Sequence, residues 1–171
     1  MQVRRARPDD AAAIADVHVR TWQSAYEHVF GAERLAGVTV EQRLPMWRQI
    51  LTDPAQTALV VEDENGRIVG WCTVAPSRDA DADGELWGIY VLPEAWGTGA
   101  GTALMVAGTD VLCELGYREA ILWVLEDNPR ARRFYEREGW TLDGLRKEDE
   151  FLGVKVTEVR YRKAVSGTVG A

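Results

Sequence analysis

The segment that most constrains the fold is Tyr90-Val-Leu-Pro-Glu-Ala-Trp-Gly-Thr-Gly-Ala-Gly-Thr-Ala-Leu104. An apolar run with strand character enters three alternating glycines, and an Ala-rich stretch with helix character leaves them. Glycine tolerates tight turns and close backbone approach, so successive N–H groups can converge on one anion. The N-terminus of the following helix adds about half a positive charge at the same place. A phosphate or pyrophosphate is the expected guest; the alternative is a sharp turn with no ligand. Gly97, Gly99 and Gly101 do not match the dinucleotide spacing G-x-G-x-x-G, since Thr102 takes its last place, and no G-K-[ST] follows as in a P-loop.

The rest of the chain supplies a layered domain around this turn. Val3–Ala6 reads as a first strand, and Asp9 and Asp10 precede a helix whose apolar positions include Ile14, Val17, Trp22 and Ala25. Thr39 and Gln42 have the spacing of a capping box for a second helix through Ile50, with a bend expected at Pro45. Asn65-Gly66 joins the apolar runs Thr57–Glu62 and Ile68–Ala75 as a hairpin. Ser77–Gly84 is a polar loop, and Glu85–Leu92 is the strand entering the glycines. The helix after them runs through Leu115 to Gly116. Ala120–Leu125 is continuously apolar, as in a strand buried on both faces. Asn128 and Pro129 open a further helix that Gly139 ends, and Trp140–Leu145 and Val154–Arg162 complete the strands. The expectation is one domain over residues 1–163 with a flexible tail over 164–171.

Composition narrows the function classes. With 171 residues and 46% hydrophobic content, one well-filled core is expected. A net charge of −7 argues against nucleic acid as partner. No apolar run approaches the roughly 18 residues of a membrane span, and the N-terminus has no apolar signal region. A cytoplasmic protein without membrane contact is expected. Cys72 and Cys113 both fall in apolar runs and read as buried reduced thiols. Asp79-Ala-Asp-Ala-Asp-Gly84 matches the first half of a calcium loop, but its twelfth position is Tyr90 instead of a bidentate Glu, so no metal is expected.

A second constellation, Asn128-Pro-Arg-Ala-Arg-Arg-Phe-Tyr-Glu-Arg-Glu-Gly-Trp140, lies about 30 residues after the glycines. Together the two segments resemble the GNAT superfamily of CoA-dependent N-acetyltransferases. Trp96–Gly101 matches its Q/R-x-x-G-x-G/A loop. Asn128, Ala131, Phe134, Tyr135, Gly139 and Trp140 match its N-x-x-A-x-x-F/L-Y-x-x-x-G-F pattern, with Trp for the final Phe. The resemblance implies an α/β (mixed α+β) domain, with a central mixed sheet of about seven strands and helices on both faces. It implies that the fourth and fifth strands, Glu85–Leu92 and Ala120–Leu125, splay apart. Acetyl-CoA is the implied cosubstrate. Its pantetheine would pair with the backbone of Ile89, Tyr90 and Val91. Its pyrophosphate would sit on Gly97, Thr98, Gly99, Ala100, Gly101 and Thr102. Asn128 would meet the pantetheine arm, and Arg133, with Arg130 and Arg132 nearby, a phosphate. The family's first loop position is usually Gln or Arg; Trp96 here leaves the loop to its N–H groups and the helix dipole.

The implied reaction moves an acetyl group directly from acetyl-CoA to a primary amine of a small molecule or peptide; a non-catalytic acyl-CoA sensor or interaction module is the alternative. Tyr135 is the candidate general acid, a phenol near ~10 protonating a thiolate near ~8.5. Glu85 is the candidate general base, with a water chain to solvent as the alternative. His18 and His28 read as surface or half-buried side chains. Two acidic segments, Asp79–Glu85 and a loop at Glu148–Glu150, would favour a cationic acceptor if both lie at the site mouth. The sequence leaves a homodimer open.

Overall fold

The computed structural model of the chain describes residues 1–166. Seven strands form one sheet in the order β1-β2-β3-β4-β5-β7-β6. They are β1 (Gln2–Arg5), β2 (Thr57–Glu62), β3 (Ile68–Pro76), β4 (Gly84–Val91), β5 (Glu119–Leu125), β6 (Thr141–Phe151) and β7 (Val154–Ala164). All neighbours are antiparallel except β4 and β5. That pair is the parallel unit that a crossover helix, α5 (Ala100–Glu114), requires.

Alternation along β3 shows how the sheet is covered. Every residue from Ile68 to Ala75 is buried, which requires cover on both faces. Trp71 meets His18 of α1 (Ala11–Ala25) and Trp47 of α4 (Val40–Thr52). The next residue, Cys72, points oppositely and places its Sγ 3.7 Å from the Leu104 carbonyl of α5. The core is therefore two apolar layers around the sheet, with α1 and α4 on one face and α5 on the other.

Local signals act as the residue types dictate. Thr39 Oγ1 accepts from the Gln42 N–H while the Gln42 side chain accepts from the Thr39 N–H, closing the capping box of α4. Pro45 lies inside α4, which continues as one element to Thr52. Gly66 takes φ +76° in the β2–β3 turn, with the Gly66 N–H on the Asp63 carbonyl.

Three expectations are corrected. The region after α1 holds two short helices, α2 (Glu27–Phe30) and α3 (Ala32–Ala36). Glu148–Glu150 belong to β6, not to a loop, because β6 and β7 meet in a two-residue turn at Leu152-Gly153 with both φ values positive. Such turns favour Asn-Gly, and the Leu at the first position hid this one. Cys113 is exposed on α5, whereas Cys72 is buried with its thiol pushed up to about 12 by desolvation. Toward the C-terminus, Ala164 pairs with Glu119, and buried Val165 donates its N–H to the Arg118 carbonyl. The remainder of the expected tail, 167–171, lies outside the described residues.

Candidate active site

β4 and β5 pair only at Gly84↔Ala120 and Glu85↔Ile121 and then part. Trp87 is the extra residue of a bulge in β4, between the pairs Val74↔Leu86 and Thr73↔Gly88. A bulge bends its strand and sharpens the local twist. Beyond it β4 follows β3 while β5 follows β7, so a cleft opens through the sheet. The Leu92 N–H bonds to the Val69 carbonyl. By alternation, the backbone groups of Tyr90 face β3 and those of Ile89 and Val91 face the cleft. The Val91 carbonyl is taken by the Trp96 indole N–H at 2.7 Å. Tyr90 reaches the cleft through its ring, which packs on Trp71 and His18.

One end of the cleft is a glycine-lined cradle of backbone N–H groups. Gly97 (φ +74°) and Gly99 (φ +90°) adopt conformations that L side chains rarely take, and a Cβ at either would meet only open space. Gly99 caps α5, whose first-turn N–H groups at Ala100, Gly101 and Thr102 have no carbonyl one turn back. A Cβ on Gly101 would lie 3.3 Å from Phe134, so glycine lets α6 (Pro129–Arg137) close against the loop. The Thr98 hydroxyl donates to the Ala95 carbonyl and the Ala100 side chain is buried, so both side chains turn from the cradle. The Thr102 hydroxyl donates to Glu138 at 2.7 Å.

The missing loop cation arrives from elsewhere. The Arg130 guanidinium stacks 3.0 Å from the centre of the Trp96 ring, beside Gly97 and Gly99 on the cleft wall, and Arg133 and Arg137 line the same wall. Arg132 is held inward by the Tyr161 hydroxyl and the Glu126 carbonyl.

The cleft leads into a chamber on the α1 face; together they form one cavity of roughly 1300 Å³. This exceeds the about 300–1,000 Å³ usual for one small ligand, which leaves room for two substrates. Tyr135 lines this cavity, 7% exposed, with no hydrogen bond to its hydroxyl among the described residues. Burial and the nearby Tyr26 hydroxyl push its pKa well above the ordinary phenol range. Asn128 accepts from the Ala131 N–H and donates to the Tyr26 hydroxyl at 3.2 Å, so the motif asparagine also positions a chamber side chain.

Aromatic rings form much of the chamber wall: Trp22 and Tyr26 from the end of α1, Trp71, Trp87, Trp123 and Phe151. His18 is half-buried among them. Trp47 donates its indole N–H to His18 Nδ1 at 3.1 Å, and desolvation pulls the imidazole down to about 4. At neutral pH it is uncharged with its proton on Nε2. His28 is half-exposed, with Nε2 on the Asp127 carbonyl.

Glu85 is not displayed to the chamber. It is fully buried, Arg78 Nε donates to Oε2 at 2.7 Å, and Oε1 has no partner among the described residues. The β4–β5 pairing at this residue places it where the sheet is still closed. The acidic loop likewise does not front the site as an open charge patch. Asp79 and Asp81 are ion-paired to Arg160, and Asp81 also to Arg162. Of the β6 acids, Asp149 lines the cavity. Tyr26 and Glu158 were missed in sequence because neither occupies a motif position, whereas Trp96 was read only as a departure from the loop pattern and Arg130 only as a neighbour of Arg133.

Comparison with known proteins agrees with this geometry. The profile of the Acetyltransferase (GNAT) family matches residues 13–140. An uncharacterized N-acetyltransferase of Bacillus subtilis, YuaI, is 30% identical over 160 residues, covering 92% of this chain and 89% of that protein. The uncharacterized N-acetyltransferase Rv2669 of Mycobacterium tuberculosis is 34% identical over 138 residues, covering 80% and 86%. Among solved structures, the PaiA N-acetyltransferase of Thermoplasma acidophilum in complex with coenzyme A superposes with a TM-score of 0.72 at 17% identity, covering 95% and 98% of the two chains. The chain is a member of the GNAT acetyltransferase family, an acyltransferase enzyme built on that family's single domain.

Proposed function

We propose that the protein transfers an acetyl group from acetyl-CoA directly to the primary amine of a small molecule or peptide end. One observation carries this reading: a continuous cavity joins the glycine-lined cradle at Gly97–Thr102 to an aromatic chamber, with Tyr135 in its wall. The pyrophosphate would lie on the first-turn N–H groups of α5, with Arg130 and Arg133 alongside. The pantetheine would run along Ile89 and the Val91 N–H. Tyr135 would protonate the departing sulfur. The amine would enter from the chamber, where rings and the carboxylates of Asp149 and Glu158 suit a body with a cationic head. Among the described residues no helix is long and apolar enough to cross a membrane. The surface thiol of Cys113 suits the reducing cytoplasm.

The test is release of free thiol from acetyl-CoA in the presence of a panel of amino acids, polyamines and peptides. Acetylated product should appear with at least one primary amine and with no tertiary amine. Hydrolysis of acetyl-CoA alone, unaffected by any amine, would overturn the reading.

A second expectation follows from the Trp96–Arg130 stack. Hydrogen bonds to charged groups contribute about 1.5–3 kcal/mol, so Arg130→Ala should raise the Kd for acetyl-CoA by about 10- to 100-fold. Acetyl-pantetheine, which has no pyrophosphate, should keep its KM. Equal losses for both donors would mean that Arg130 supports the loop rather than the phosphates.

A further inference from the structure

With Glu85 closed off behind Arg78, the chamber still needs a group to take a proton from an arriving ammonium. Three acids line the cavity: Asp127, Asp149 and Glu158. Asp127 has a side chain 75% exposed, and Asp149, on the edge strand β6, is exposed as well. Glu158 is different. It is 9% exposed, in the middle of β7, opposite Leu125 of β5 and Lys147 of β6. These pairings put it on the chamber face, two residues before Arg160 and its partner Trp123. His18 cannot replace it, because its Nδ1 already accepts from Trp47 and its other nitrogen carries the proton.

We propose that Glu158 is the catalytic base, receiving a proton from the acceptor ammonium held against the Trp22 and Phe151 rings. These rings pack with Leu125, opposite Glu158, while the Trp123 ring carries the Lys147 ammonium 4.2 Å from its centre. The proposal rests on the amine-acetylation reading above. Glu158, Tyr26 and Tyr135 all line the same cavity. The step balances as follows. R–NH3+ gives one proton to the Glu158 carboxylate, and the freed lone pair forms the C–N bond to the acetyl carbon as the C–S bond breaks. The sulfur takes a proton from Tyr135, which is restored by the second proton lost from nitrogen. Glu158 then returns its proton to solvent.

The groups facing Glu158 are Lys147 and Asp149 from β6, Arg78 from the β3–β4 loop and Tyr26 at the end of α1. Burial raises the Glu158 pKa and Asp149 adds to this, while Lys147, 3.5 Å away, and Arg78 oppose it. A raised carboxyl places a base nearer the working pH. kcat/KM should therefore fall on the acid side as Glu158 becomes protonated.

The experiment is the pH profile of kcat/KM for the best amine found in the panel, in the wild type and four variants. Glu158→Gln should lose about 10²- to 10³-fold and its acid limb, with acetyl-CoA affinity unchanged. Glu158→Asp should keep the limb at a reduced rate, and Glu85→Gln should keep it too. Lys147→Met removes the opposing cation and should move the limb to higher pH. A Glu158→Gln enzyme that retains the limb, or a Lys147→Met limb that stays in place, would overturn the base assignment alone. A wild type that acetylates no amine would overturn both this assignment and the reading beneath it.

Discussion

Arg160→Ala is expected to lower the free energy of unfolding by about 3–5 kcal/mol, the range for removing one partner of a buried ion pair. Arg160 is 2% exposed and uses its whole fork: Nη1 to Asp79 (2.9 Å) and Asp81 (2.7 Å), Nη2 to Asp81 (2.7 Å), and Nε to Asp143 (2.7 Å). Trp123 adds its indole N–H to the same Asp79 carboxylate. One side chain on β7 therefore ties the β3–β4 loop to β5 and β6. Its removal leaves Asp79 and Asp143, both largely shielded, facing each other without their main cation. Arg162 remains beside Asp81 and Asp143 and keeps the loss from being larger. At roughly 2–4 °C per kcal/mol for a domain of this size, the Tm should fall by about 10 °C. Lysine cannot reproduce the fork, so Arg160→Lys should recover only part of the loss.

The same strap predicts a pH dependence. The Arg160 hydrogen bond holds the Asp81 carboxyl down at about 2, below its unfolded value. Its contribution is therefore complete above about pH 4 and is lost as pH falls toward about 2. Arg160→Ala should flatten stability across that window. Urea unfolding measured between those pH values decides the matter, and a loss under about 1 kcal/mol would show that the acids find other partners.

Tyr135→Phe is expected to reduce kcat by about 10²-fold while acetyl-CoA affinity stays near wild type. The ring is buried between Phe134 and Tyr161, and phenylalanine preserves that packing. The hydroxyl has no internal partner among the described residues, so no buried hydrogen bond is orphaned by its removal. Burial raises the phenol pKa, which keeps the proton in place at all working pH values but makes it a weaker acid. That opposition argues for the low end of the usual 10²–10⁴ range. Rapid-quench measurement of the acetyl-transfer step tests it directly. A variant with a wild-type transfer rate would make Tyr135 a wall of the cavity and leave sulfur protonation to water.

The positions legible in sequence share one property: their role is set by neighbours close along the chain. Gly97 and Gly99 announce a turn because their positive φ is a local demand, and the helix after them supplies its own N–H groups. Asn128 announces a cap because the N–H it accepts from, that of Ala131, is three residues away. Element order came from the apolar runs and turn residues along the chain, while the mixed sheet and the parting of two strands were implied by the resemblance these two motifs carry. Glu85 was misplaced for the converse reason. A strand-end glutamate looks solvated in sequence, and only the packing of Arg78 over it shows a closed site.

The sequence by itself therefore determined the glycine turn, the capped helix bearing Tyr135 and the family to which the chain belongs. Tertiary structure alone decided the aromatic chamber. Glu158, Lys147, Trp123 and Arg160 meet because β7 lies between β5 and β6. Period-two alternation tells which residues of a strand share a face, but not which strand lies beside it or what covers that face. That choice rests on long-range pairing and burial, and so the cation at the cradle, Arg130 on Trp96, and the carboxylate in the chamber, Glu158, come into view only when the chain is folded.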